Sequence, residues 1–193
     1  MWSRAVPTAK IGARMSRSAI AGAFFVLLSV VAAYVLAVLV PVASDGPLKK
    51  FALEKNGDLR EEIGWDDLVR NVAAIRDALP ADQREHVGIV VRNYGEAGAI
   101  EILGPAYHLP VPISGTNSGW LRGYPDPPPT MLIVLGTSFE NADRRYTGCR
   151  VAGHNQNSLG VKNEESRDHP DIFVCGPPRL PWPEFWKSFQ AFG

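Results

Sequence analysis

Between residues 19 and 43 the chain reads AIAGAFFVLLSVVAAYVLAVLVPVA, an apolar run without a single charge. At about 1.5 Å of rise per residue, such a run covers a hydrocarbon layer of about 30 Å. It shows no polar face, which a buried soluble helix would normally carry. The segment is expected to be a retained transmembrane helix. The rival is a cleavable signal peptide, whose apolar region usually has about 7–15 residues; Pro41-Val42-Ala43 would be a poor cleavage site. Residues 44–63 then turn polar, with weak helical character, and read as a stalk.

Beyond residue 63 the periodicity alternates. Trp65, Leu68, Val69, Val72, Ile75 and Leu79 recur at helical spacing, with acids in the first turn and Pro80 at the end. HVGIVV is a continuous apolar strand. A helix is expected over about 96–103, stopped by Gly104-Pro105. LPVPIS is a weak strand, because its prolines confine it to an edge or an end. TMLIVLG is the strongest strand, SFENADRRY a short helix, and TGCRVAG and DIFVCG two more strands. In PWPEFWKSFQAFG, Phe185, Trp186, Phe189 and Phe192 fall along one helical stripe. Helices alternating with short all-apolar strands predict a three-layer, Rossmann-like α/β domain with a mostly parallel sheet, preceded by one transmembrane helix.

Charge adds a direction to this layout. The 193 residues carry no net charge, but Arg4, Lys10, Arg14 and Arg17 precede or begin the apolar run and no acid does. Of the 20 basic residues, 16 therefore remain to face all 20 acids in the rest of the chain. An acidic body argues against nucleic acid. The basic flank predicts that 1–18 is a cytoplasmic N-terminus and 19–43 a single-pass helix in the inner (plasma) membrane. Residues 64–193 then form a periplasmic or extracellular domain. That location suits a bridge between Cys149 and Cys175, each in a strand-like run; two separate buried thiols are the other reading. No metal or cofactor is expected, since the four histidines are scattered without ligand spacing.

If every strand were parallel, the segments after them would gather at one edge. These are 92–96, 114–120, 136–138, 154–157 and 176–179, rich in amides and hydroxyls, with Tyr94 and Trp120 as flat apolar platforms. That mix suits a carbohydrate. The turn NYGEAGA lacks the G-x-G-x-x-G pattern and any Walker-type lysine. It reads either as a ligand loop or as a plain strand-to-helix corner. In the second reading Gly95 supplies a positive φ, Gly98 lets the helix approach the sheet, and Glu96 sits favourably in the first turn. The pairs Glu61-Glu62, Asp66-Asp67 and Glu164-Glu165 read as solvated surface, because adjacent residues on a helix do not face each other. No Ser/His/Asp grouping and no catalytic residue is evident.

Four segments taken together resemble a known family: LREEIGWDDLV, VVRNYGEAGAIEILGPAYHLPVPISGTNSGW, NSLGVKNEES and FVCGPPRLPWPEFW. They are similar to the C-terminal soluble tail of bacterial membrane proteins of the glycosyltransferase family 39 type, the aminoarabinose-transferase-like and protein-mannosyltransferase-like enzymes. The resemblance runs from about Leu59 to the end. It implies that 19–43 corresponds to the last span before that tail. It also implies an association with sugar transfer from a polyprenyl-phosphate donor. The family's acidic catalytic residues lie in a loop between earlier spans, so none is carried over. The chain is then either a separated tail or a stand-alone anchored relative.

The expected function is an accessory domain of a glycosyltransferase system that binds glycan, lipid-linked sugar or a multi-spanning transferase partner. Asn93, Tyr94, Glu96, Asn117, Trp120, Asn157, Asn163 and Glu164 are the candidate binding residues, all but Trp120 also on the resemblance. A stand-alone hydrolase or transferase at the same edge and a purely structural packing module are the alternatives.

Overall fold

The computed structural model describes residues 17–39 and 46–192, divided between two compact units, Met1–Gly57 and Asp58–Gly193. The basic stretch 1–16 and residues 40–45, where the span should end and the stalk begin, lie outside the described residues.

In the first unit, α1 (Arg17–Leu39) has 23 residues, about 35 Å of helix. Its stretch Arg17–Leu36 is long and apolar enough to cross a membrane, and none of it is buried. A signal sequence would satisfy the same length and composition. Where a stalk was expected, α2 (Pro47–Lys55) forms, opened by a proline that needs no helical N–H partner. The Phe51 ring meets Tyr34 edge-on at 6.0 Å.

The second unit runs α3 (Gly57–Glu61), α4 (Trp65–Asp77), α5 (Ala81–Glu85), β1 (Val87–Val91) and α6 (Tyr94–Leu103). It continues with β2 (Ile113–Ser114), β3 (Met131–Val134), α7 (Phe139–Arg145), β4 (Arg150–His154), α8 (Glu164–Arg167), β5 (Asp171–Cys175) and α9 (Trp182–Phe189). The sheet order is β2-β1-β3-β5-β4. Alternation along the inner strands feeds two cores. Ile89, Ile133, Leu135, Ile172 and Val174 pack with Leu68, Val69 and Val72 of α4 and Ala99 and Ile100 of α6. Val90, Leu132, Val134 and Phe173 pack on the other face with Ala142 of α7 and Phe185, Trp186 and Phe189 of α9. Helices thus cover both faces, and each fully buried aliphatic side chain contributes about 1.5–3 kcal/mol.

The sheet is mixed, which corrects the mostly parallel, Rossmann-like expectation. β1 is parallel to β2 and β3, but β5 runs antiparallel to both β3 and β4. For β4 and β5 the antiparallel direction matches a covalent constraint. Cys149, just before β4, is disulfide-bonded to Cys175, the last residue of β5, with Cα atoms 4.1 Å apart. Neighbouring parallel strands would hold those positions a strand length apart, about 16 Å for five residues, and no disulfide spans that. Antiparallel pairing of Arg150 with Val174 puts the cysteines opposite each other.

Two smaller expectations also change. Phe192 is not part of the stripe on α9, which ends at Phe189, and its side chain is exposed. The chain end instead pairs with the segment after β2: Ala191 N–H donates to Gly115 O at 2.9 Å, and Asn117 N–H to Ala191 O at 3.0 Å. Gly115 lies so close to Phe189 that a β-carbon there would overlap its carbonyl oxygen.

Removing the bridge with Cys149→Ser/Cys175→Ser frees a loop with a sequence separation of 26 residues. The chain-entropy argument predicts a loss of about 3 kcal/mol, read as a lower midpoint in denaturant unfolding. Gly115→Ala should cost about 2 kcal/mol in the same assay by forcing α9 away from the sheet; an unchanged midpoint would refute that packing.

Candidate functional site

Because β5 is reversed, the carboxyl ends of β1, β2, β3 and β4 share one edge, while 176–179 after β5 falls at the opposite edge. This corrects the expectation that all five segments gather together. On the far edge Arg179 is engaged structurally, donating from Nε to the Asp143 carbonyl at 2.9 Å.

On the shared edge, NYGEAGA is a strand-to-helix corner closed by a capping box. Asn93 has extended backbone, and its Oδ1 accepts from Glu96 N–H at 2.7 Å. Glu96 Oε2 in turn accepts from Arg92 N–H at 3.0 Å and Asn93 N–H at 3.4 Å. Two helix-end donors are thereby satisfied reciprocally. The glycines do other work than expected. Gly95 has no positive φ; it is small because a β-carbon would stand 2.6 Å from Trp65 Cη2. Gly98 approaches nothing and opens onto a cleft. The positive φ belongs to Gly136 after β3, at 65°. There a β-carbon would come 2.5 Å from the Glu96 carboxylate.

Glu96 is therefore enclosed, with 2% of its surface exposed. Burial pushes its carboxyl up to about 7, against the two backbone N–H groups that favour the charge; Glu165 and Glu164 raise it further. Glu165 is also buried, so the pair Glu164-Glu165 is not the solvated surface expected, although Glu164 itself is exposed. Burial likewise raises Glu165. Asp67 departs from expectation too: it accepts from Ser158 N–H at 2.8 Å and Ser158 Oγ at 3.1 Å. The Ser158 N–H holds its carboxyl below the usual range.

Two clefts open along this edge. The first, of about 360 Å³, lies between α6 and the 3₁₀ turn Asn117–Arg122. Tyr94, Gly98, Glu101, Asn117, Ser118 and Arg122 line it. The Tyr94 side chain is exposed. Arg122 donates to Glu101 at 2.7 Å, and that contact keeps the Glu101 carboxyl below its usual range. The second cleft, of about 390 Å³, is lined by His154, Asn155, Gln156, Asn157, Lys162 and Ser166. His154 Nδ1 lies 2.7 Å from Asp171 Oδ1.

The structure thus brings Tyr94 and Asn117 together in the first cleft and places Asn157 in the second. Asn93 and Glu96 form the corner between strand and helix. Asn163 is buried as the N-cap of α8, accepting from Ser166 N–H at 3.1 Å and donating to Ile63 O at 2.8 Å. Glu164 N–H donates to Glu61 at 2.7 Å. Trp120 is no open platform: its Nε1 donates to Trp186 O at 2.9 Å, and the two indoles stack at 6.5 Å. Glu101, Arg122 and the pairing of His154 with Asp171 went unread, and Glu165 reads as surface from the sequence. The spacing Asn93-x-x-Glu96 carries the capping box openly, whereas contacts such as Asp67–Ser158 join residues 91 apart and leave no local signal. Among the described residues, no group of three or more His, Cys, Asp or Glu side chains is placed to hold a metal ion.

Folded Glu96 keeps its proton to about pH 7, while an unfolded glutamate loses it near 4.5. Between those values the folded state binds more protons, so this group's contribution to stability falls as pH rises and is constant above the window. The expected slope is about 1.4 kcal/mol per pH unit. Glu96→Gln, which preserves the acceptor for the cap, should flatten it; denaturant unfolding across that range checks this, and an unchanged slope would contradict the assignment.

Compared with known protein families, curated proteins and solved structures, the chain finds no match. The functional reading rests on the residues of the edge itself.

Proposed function

We propose that the chain is a membrane-anchored extracytoplasmic domain that binds carbohydrate in the cleft between α6 and the 3₁₀ turn Asn117–Arg122. In this reading it is an accessory domain of a glycosyl-transfer system. The observation that carries the reading is the make-up of that cleft. An exposed Tyr94 ring stands beside Asn117, Ser118 and the Glu101–Arg122 pair, over a floor opened by Gly98.

Sugars present C–H faces and hydroxyl edges, which an aromatic plane and fixed polar groups match in turn. The volume, about 360 Å³, sits within the range of small-ligand pockets. α1 and the Cys149–Cys175 bridge support placement on the oxidising side of a membrane. Binding is favoured over catalysis because the carboxylate in the cleft, Glu101, is already engaged by Arg122 at 2.7 Å. Glu96 and Glu165, whose raised values would suit a proton donor, do not line that cleft.

Titration of the detergent-solubilised chain with a panel of mono- and oligosaccharides tests the reading. Saturable binding is expected. Tyr94→Ala should weaken it about tenfold, the loss of one stacking contact and its enclosed area. Gly98→Leu should abolish it by filling the cleft while leaving the fold intact, since a side chain there meets open space. Absence of binding across the panel, or wild-type affinity in Gly98→Leu, would overturn the assignment.

A further inference from the structure

We propose that the second cleft, at the carboxyl end of β4, binds a small hydroxylated anion: a molecule of monosaccharide size that carries a carboxylate or phosphate group. The inference stands apart from the sugar-binding reading, because the two clefts share no lining residue.

The connection between β4 and β5 carries several amides, and two of them hold the loop together. Asn157 Oδ1 accepts from Val161 N–H at 2.9 Å, and its Nδ2 donates back to Val161 O. Gly160, with a φ of 64°, closes the same turn by donating to Asn157 O at 3.0 Å. Asn163 caps α8 and reaches Ile63 O, while Ser158 is fixed to Asp67. Asn155 is different. Its backbone N–H donates to Pro170 O at 2.6 Å, which seats the residue, and only 5% of its surface is exposed. Among the described residues, however, no group bonds its side-chain amide. That amide lines the cleft and is not sealed from it. A buried amide without a partner is unfavourable, and a ligand that accepts from it recovers the loss.

The groups around Asn155 define the chemistry of that ligand. Gln156 and Lys162 are exposed at the cleft, and the side chain of neither has a partner among the described residues. With Asn155 they offer N–H donors from three side chains, one of them cationic, and no acid lines the cleft. An oxyanion accepts from all of them. His154 adds the opposite capacity. Its Nδ1 lies 2.7 Å from Asp171 Oδ1, which favours the Nδ1–H tautomer and leaves Nε2 of the neutral ring as an acceptor. A ligand hydroxyl donates to such a nitrogen. The lining holds no Phe, Tyr or Trp, unlike the first cleft with its Tyr94, so selection rests on charge and hydrogen bonding. The volume of about 390 Å³ suits a ligand of this size.

Calorimetric titration of the full chain in detergent with glucuronate and with glucose 6-phosphate tests this. Saturable binding of one or both is expected, and which of them binds tells carboxylate recognition from phosphate recognition. Excess glucose, which lacks the anion, should not displace either. Lys162→Glu should weaken anion binding at least about tenfold, the loss of one charge-assisted contact, and the exposed position leaves the fold unaffected. Asn155→Leu, close in size and unable to donate, should weaken it similarly, whereas Tyr94→Ala in the first cleft should leave it unchanged. Binding of neither anion, displacement by glucose, or wild-type anion affinity in Lys162→Glu would overturn the inference. Loss of anion binding in Tyr94→Ala would do so too, by moving the anion to the first cleft. Should Asn155→Leu fail to fold, Lys162→Glu decides alone.

Discussion

The covalent tie between Cys149 and Cys175 governs the geometry of this domain more than any other single contact. Joining the residue before β4 to the last residue of β5 demands that these neighbours run in opposite directions. With β5 reversed, the segment after it leaves at the far edge, where Gly176 N–H donates to Thr147 O at 2.7 Å and Arg179 N–H to Arg145 O at 2.8 Å. The near edge keeps the ends of the other four strands. It also receives the long connection between β4 and β5, which brings Ser158 to Asp67 of α4, Asn163 to Ile63 and Glu164 to Glu61 of α3. The polar chemistry of the molecule is concentrated there as a result.

That edge combines two kinds of polar group. In the cleft beside α6 they are exposed, with Glu101 paired to Arg122. Behind it they are buried and capped: Glu96 closes the start of α6 and Asn163 the start of α8. Gly136 allows the first arrangement, because a side chain there would displace the Glu96 carboxylate. The same enclosure that fixes the cap raises the carboxyl above its usual range.

Local signals in the sequence translated well into local structure. The spacing of Leu68, Val69 and Val72 gives α4; the apolar runs around Ile89, Ile133 and Phe173 give the buried strands; Pro110 and Pro112 confine β2 to two residues at the sheet edge. Strand direction was not legible from hydrophobicity, since strands buried on both faces look alike whichever way they run. The cysteine positions did contain it, because a bridge from a strand start to a neighbour's end excludes parallel pairing. For the site, Tyr94 and Asn117 were readable as loop residues at a strand end. Trp120 was not, as its ring faces inward through a bond to Trp186 that no local pattern announces. Glu165 escaped for a similar reason: beside exposed Glu164 it looks like surface, and only the packing of a distant segment buries it.

Fold, placement and site all rest on the domain residing where disulfides persist, and the chain's two cysteines report on this directly. Alkylation of intact cells with a thiol reagent, before and after reductant, reads their state. The account predicts that Cys149 and Cys175 resist labelling until reductant is added. Immediate labelling of both, as in a reducing cytoplasm, would contradict it.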